Sequence, residues 1–358
     1  MQRLNRKHKQ ILVGSEGAYE EQRYYAFPSM LELKRTGTRI LIAYKNGEKH
    51  FREAGAPLEV VTLDAVSKDV SAVRVVDAGL DKVNQNPELM RMPDGSIHMY
   101  VDVQHGGSKE RAGLRLYRSV DEGETFADEG DFPEVGGYRY GYSFDDATTP
   151  DGSMSMLVMS FAELTGGVRA VHAIRTADSG KSWTYLKNLN AEFEFDFNES
   201  TLLAYKEGFV LIARGYDRRT MAFLTDAHFN KIASAVLSDR HASIDYVGRP
   251  KLFERDGDMY LLCRNIPAGQ SRGTLELYRF DPDGLKLGSN VLLDTNDNEA
   301  GDSYYPEPYF ISENGRTMFN VITYAPHATG DKPDIVRLEY DWTELRGRLE
   351  ENAYVDVG

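Results

Sequence analysis

Five of six positions that recur at a near-constant interval carry groups able to do chemistry: Phe27, Asn86, Asp145 or Asp146, Glu199, Arg249 and Tyr305. A carboxylate can take or give a proton, or balance a cation. A guanidinium presents a rigid fork of N–H donors that matches a planar carboxylate. A phenol, with a solution pKa of about 10, needs a neighbouring base before it can attack. Two acids, a guanidinium, a phenol and an amide at one opening make an unusual polar pocket. The same groups could also satisfy one another in a wet channel.

Only a repeated element could bring residues so far apart to one place, and the chain contains one. SVDEGETF at 119–126 and TADSGKSW at 176–183 share one pattern, 57 positions apart: hydroxyl, x, Asp, x, Gly, x, hydroxyl, aromatic. In a tight turn Asp121 or Asp178 accepts bonds from backbone N–H groups further along, while Gly123 or Gly180 supplies the positive φ. FLTDAHFN at 223–230 reads as a decayed third copy. Each octet follows β-rich runs, which places it between the third and fourth strands of a four-stranded unit.

With that unit as frame, a recurring opening is followed by a Gly-containing turn and an apolar strand. Openings begin near residues 26, 86, 145, 198, 248 and 305. Six units of strand predict an all-β, six-bladed β-propeller in a single domain, 1–358, with blades starting near 23, 84, 140, 196, 246 and 302. No long helical periodicity and no Pro/Ser-rich linker interrupts it. KQILVGSEG near the N-terminus is expected to join the last blade's sheet, because an open ring would expose strand edges. The residue before each opening then lies beside the channel.

Composition narrows the function classes. Lys and Arg total 42 against 56 Asp and Glu, a net charge of −14, which opposes broad adhesion to nucleic acid or anionic membrane. The single cysteine, Cys263, excludes an internal disulfide and a cysteine-built zinc site. The eight histidines show no metal-binding spacing. The acidic loops DPDG at 281–284 and DTNDNEAGD at 294–302 could hold calcium, but such turns are more often simply solvated. No cofactor is expected. No apolar run reaches membrane-span or signal-peptide length, so a soluble protein is expected, cytoplasmic or secreted with a leader removed.

The octets resemble the Asp-box of the sialidase superfamily, and the blade pattern resembles that family over roughly residues 20–345. In the family the box lies on the rim and serves structure. Glu199 in FNESTLLAYKEGFVLIARG, with Arg214 fifteen residues on, is similar to the segment where a Glu opens a blade and an Arg closes the next strand. The resemblance implies that Glu199 is general base to a tyrosine nucleophile and that Arg214 clamps a substrate carboxylate. The nucleophile would be Tyr305 or Tyr304 in GDSYYPEPYF; strand alternation lets only one ring face the pocket, and the blade alignment favours Tyr305. A neutral phenol avoids the repulsion that a carboxylate nucleophile would meet from an acidic sugar. Arg249 resembles the third clamp arginine, with Arg264 and Arg272 as competitors.

Two departures accompany the resemblance. Where the family carries its first clamp arginine this chain has Ala26, with Arg23 three residues earlier. The loop expected to carry the acid, KNGEKHFREAGAP, offers Glu48 and His50 but no Asp; Asp102, His105, Asp145 and Asp146 are alternatives. Asn86 completes the substrate-binding set. The implied activity is release of a terminal acidic sugar from a glycan or small glycoside, with retention. A polysaccharide lyase acting on uronates and a non-catalytic carbohydrate-binding propeller are the other readings. Oligomeric state is not legible.

Overall fold

The computed structural model describes residues 8–15, 22–34, 37–239, 241, 244–267, 273–296, 303–327, 330 and 332–351. The chain forms six four-stranded antiparallel sheets, the strand count of a six-bladed propeller. It divides into two compact units, one of Met1–Val13 with Phe195–Gly358, the other Gly14–Glu194. Strand β1 (His8–Val13) belongs to the first.

The Gly14–Glu194 unit holds three sheets. The first is β2 (Tyr24–Glu32), β3 (Arg39–Gly47), β4 (Leu58–Asp64) and β5 (Arg74–Asp77). The second is β6 (Lys82–Arg91), β7 (Ile97–His105), β8 (Arg111–Ser119) and β9 (Ala127–Asp131). The third is β10 (Tyr140–Thr148), β11 (Met154–Ser160), β12 (Ala170–Thr176) and β13 (Thr184–Asn188), with short helices α1 (Ala162–Thr165) and α2 (Leu189–Phe193) attached. Alternate residues of neighbouring sheets interlock, as where Leu41, Ala43, Val60, Leu89, Met99 and Val101 form one buried cluster.

The other unit repeats the plan. β14 (Phe197–Tyr205) to β17 (Lys231–Val236), through β15 (Gly208–Gly215) and β16 (Thr220–Asp226), form one sheet. β18 (Tyr246–Arg255), β19 (Asp258–Ile266), β20 (Thr274–Asp281) and β21 (Lys286–Thr295) form the next. The last is β22 (Glu307–Glu313), β23 (Arg316–Pro326) and β24 (Pro333–Asp341), completed by β1, which pairs antiparallel with β24. The N-terminal strand thus covers an edge that would otherwise stay unpaired; Glu16 and Gly17 of the predicted segment lie outside the described residues. Helix α3 (Trp342–Glu351) was not expected. Its apolar signal is short, Trp342, Leu345 and Leu349, and it packs on the last two sheets.

Five of the six first strands carry the same irregularity. Against their second strands β2, β6, β10, β14 and β18 each gain one extra residue, between Ala26 and Ser29, Gln85 and Glu88, Ser143 and Asp146, Phe197 and Ser200, and Gly248 and Lys251. Such bulges re-aim side chains and free backbone groups. In three of them the residue before a proline has positive φ: Phe27 at 56°, Asn86 at 44° and Arg249 at 41°. In β10 and β14, which lack that proline, the acids Asp145 and Glu199 stand one residue later in the bulge. The openings are therefore equivalent only to within one position. Freed amides on one sheet are taken by side chains of the sheet before it: Ser29 Oγ accepts from Leu89 N at 3.0 Å and Thr201 Oγ1 from Leu252 N at 3.0 Å.

All three octets join third to fourth strands. Asp121 accepts from Thr125 N at 2.9 Å and Thr125 Oγ1 at 2.6 Å, and Asp178 accepts from Ser182 N and Oγ at the same distances. In the decayed copy Asp226 binds Asn230 N and Nδ2 at 2.9 and 2.7 Å, so an amide replaces the hydroxyl. Burial alone would raise Asp121, but these bonds bring its carboxyl down to about 2; the Ser182 and Thr176 bonds likewise hold Asp178 at about 2. Both lie below the value of about 3.9 of an unfolded aspartate, so their stabilisation is present above that pH and is lost as pH falls toward 2. Asp121→Ala should lower the melting temperature at neutral pH by roughly 2–6 °C. The difference from the parent should shrink on acidification to about pH 2; a difference independent of pH would exclude the carboxylate as its source.

Candidate functional site

Within the Phe195–Gly358 unit, five of the residues singled out in the sequence meet around one carboxylate. Glu199, 4% exposed, comes from the bulge of β14. Its Oε2 accepts from Arg249 N on β18 at 2.9 Å and lies 3.2 Å from Arg214 Nη2 on β15. Its Oε1 accepts a hydrogen bond from the Tyr305 hydroxyl, just before β22. Three consecutive sheets therefore converge on Glu199. The guanidinium carbons of Arg249 and Arg264 lie 5.5 and 5.7 Å from the Tyr305 ring centroid, so two cations flank the phenol.

Burial by itself would raise the pKa of Glu199. The guanidinium groups of Arg214 and Arg264, the Tyr305 hydroxyl and the Arg249 amide outweigh that effect and hold it below the ordinary carboxylate value. Glu199 is thus an ionised acceptor at neutral pH, in position to take the phenolic proton. Arg214 keeps one buried nitrogen, Nε, with no hydrogen-bond partner among the described residues.

Local backbone decides where each group points. Arg264 on β19 stands opposite Gly248 in register, and a Cβ at Gly248 would come within 2.4 Å of Arg264 Nε and Nη2. The guanidinium lies across the bare glycine and donates to Ser303 O at 2.9 Å. Tyr304 has φ of 63° and turns the opposite way from Tyr305. Its ring enters the core with Tyr260, Leu275 and Val321, and its hydroxyl donates to Asp294 at 3.1 Å. Of the two tyrosines, only Tyr305 meets Glu199. Arg272, the other competitor for a clamp position, lies outside the described residues.

The remaining candidates fall in the Gly14–Glu194 unit. Arg23 donates to Asn46 Oδ1 at 2.8 Å and Asn46 O at 3.1 Å, with Glu48 at 3.9 Å. Glu48 is exposed. His50 Nδ1 is 3.0 Å from the Tyr24 hydroxyl, and its ring meets Phe27 edge-on. Asn86 donates to Asp102 at 3.4 Å. Asp102 is fully buried, and that burial raises its pKa against the pull of Arg111. Asp145 is buried in its bulge and accepts from Asp146 N at 3.1 Å; Asp146 is partly exposed and resumes the ladder opposite Met156. A cavity of about 500 Å³ in this unit, lined by Met30, Glu32, Arg91, Met92 and Thr148 among others, contains none of these candidates.

Two features escaped the sequence reading. Lys45 is fully buried, 2.5 Å from Glu53, and donates to the carbonyls of Lys49 and His50 at 2.9 Å, fixing the loop that carries Glu48 and His50. Its burial lowers its pKa despite Glu53. Tyr246, at the start of β18, lies under the Arg214 guanidinium at 4.7 Å. Among the described residues no group of three or more His, Cys, Asp or Glu is placed to hold a metal ion. In the DPDG loop Asp283 pairs with Lys206 and Asp281 accepts from Asp283 N; residues 297–302 of the other acidic loop lie outside the described set.

No protein-family model and no curated protein matches the chain. Solved structures do. A protein of unknown function from Dyadobacter fermentans is 14% identical, with TM-score 0.73, covering 94% of this chain and 98% of its own. The Hadza microbial sialidase is 13% identical, TM-score 0.64, covering 90% of this chain and 66% of its own. The Trypanosoma rangeli sialidase is 11% identical, TM-score 0.58, with 92% and 56% covered. This chain thus spans about two thirds and just over half of those two sialidases. These likenesses show the fold: a sialidase-like six-bladed β-propeller.

The two tyrosines should separate in experiment. Tyr304→Phe removes a buried donor from Asp294 and should cost about 1–3 kcal/mol in denaturant unfolding. Tyr305→Phe should leave the fold standing, with its consequence in function. Equal stability loss from both would contradict their different placements.

Proposed function

We propose that the chain hydrolyses the glycosidic bond of a terminal acidic sugar, a sialic acid or a related keto-deoxy sugar acid, with retention of configuration. The observation that supports this reading is the Tyr305 hydroxyl donating to buried, ionised Glu199 among three arginines. The fold adds to it: the sialidases named above share it, and the intramolecular trans-sialidase of Ruminococcus gnavus, TM-score 0.59 and 10% identical over 90% of this chain and 95% of its own, was solved with oseltamivir carboxylate.

In the proposed reaction Arg214, Arg249 and Arg264 receive the sugar carboxylate. Tyr305 Oη bonds to the anomeric carbon as its proton passes to Glu199, and the bond to the leaving oxygen breaks. Water then attacks the glycosyl–tyrosine bond, the phenol is restored, and two displacements leave the configuration unchanged. An aryl glycoside leaves as a stabilised anion and needs little protonation, so it tests these residues without reference to the acid.

The second reading, a propeller that binds acidic sugars without cleaving them, is favoured by Ala26 and by the engagement of Arg23 with Asn46. Turnover decides between them. With a fluorogenic aryl glycoside of sialic acid, Tyr305→Phe should lower kcat by at least about a hundredfold, Glu199→Gln nearly as much, and the losses should not add. Full activity in both variants would remove the pair from the reaction. The acid limb of kcat/KM should fall below pH of about 4.5, because Glu199 must be ionised and its pKa is held low. Arg214→Lys should raise KM about tenfold, and a methyl ester of the substrate should react poorly; equal turnover of acid and ester would exclude the clamp.

A further inference from the structure

Two guanidinium groups held against one carboxylate face a physical difficulty that the Glu199 contacts alone do not solve. Arg214 and Arg264 both act on Glu199, so the pair carries one more positive charge than that partner balances. Like charges confined to a buried site spread apart unless something holds them. In this unit that element is the beginning of β18. Tyr246 and Gly248 stand two residues apart and so share one face of the strand. The Tyr246 ring centroid lies 4.7 Å from the guanidinium carbon of Arg214 and 6.0 Å from that of Arg264. The exposed Arg218 lies 5.1 Å from the same ring and pairs with Asp245 at 2.9 Å. Gly248 supplies the flat patch beside it on which Arg264 lies, because any side chain there would collide with the guanidinium.

We propose that Tyr246 and Gly248 form a positioning platform that fixes the separation of Arg214 and Arg264 in the empty site and so sets selectivity for a carboxylate over its neutral ester. The idea rests on the acidic-sugar reading above. The negative face of the ring attracts both cations without neutralising either, which an acidic residue would do. A carboxylate then enters a site whose donors are already spaced, and little of its binding free energy goes into ordering them. Tyr246 is a positioning residue, acting through the arginines, and is assigned no contact with the reacting atoms.

The test compares affinity and turnover for N-acetylneuraminic acid, its aryl glycoside and the methyl ester of that glycoside. Tyr246→Phe keeps the ring and should match the parent. Tyr246→Leu should weaken binding of the free acid and raise KM for the acidic glycoside about tenfold, with kcat changed less than threefold and the low activity on the ester unchanged. Gly248→Ala, which leaves the ring in place and displaces Arg264, should show the same split and serves if the Leu variant does not fold. Parent-like affinity for the acid in Tyr246→Leu or in Gly248→Ala would overturn the platform while leaving the acidic-sugar reading intact. Absence of any binding or turnover of these acids by the parent would overturn that reading, and the platform with it.

Discussion

A carboxylate as buried as Glu199 keeps its charge only if donors replace the water it has lost, and each donor here arrives from a different strand. Arg214 comes from β15 of its own sheet, the Arg249 amide from β18 of the next, and the Tyr305 hydroxyl from the approach to β22 of the last. Removing one partner from a buried ion pair leaves the other charge uncompensated, at a cost of about 3–5 kcal/mol. The register of three sheets is therefore tied to the electrostatics of one side chain. The bulges make this possible. By adding one residue to a first strand they expose an amide, as at Arg249, and turn an acid toward it, as at Glu199.

That economy recurs along the chain with different chemistry. Where the bulge holds X-Pro, the backbone accepts positive φ at Phe27, Asn86 and Arg249, a conformation that costs energy for residues other than glycine. Strain of this kind persists only where surrounding structure enforces it. In the Gly14–Glu194 unit the enforcement includes a buried Lys45–Glu53 pair that ties the loop after β3 to its own sheet. The octets lie apart from this chemistry: their aspartates are spent on closing hairpins, with every assigned bond running to a residue of the same turn.

Much of the fold was legible because the repeat is written in turn chemistry and two-residue alternation, both local signals. Glu199, Arg249 and Tyr305 were named from the equivalence of the openings, and Arg214 from its offset to Glu199. What escaped depends on three dimensions. Neither alternation nor composition separates Tyr304 from Tyr305; the positive φ of Tyr304 does. Arg264 was only a competitor, since nothing local says that Gly248 would lie beneath it. Tyr246 is one of 21 tyrosines, and its contact with arginines of two strands has no sequence signature. Burial of Lys45 is likewise invisible in a pattern that normally puts lysine on the surface.

The central claim, that Tyr305 is the nucleophile and Glu199 its base, is tested most directly by trapping. The protein is treated with a fluorinated acidic-sugar inactivator, digested, and mapped by peptide mass. A covalent sugar adduct on Tyr305, absent from Glu199→Gln over the same incubation, is the result this account predicts. An adduct on Tyr304 or on a carboxylate, or sugar release with inverted configuration and no adduct, would contradict it.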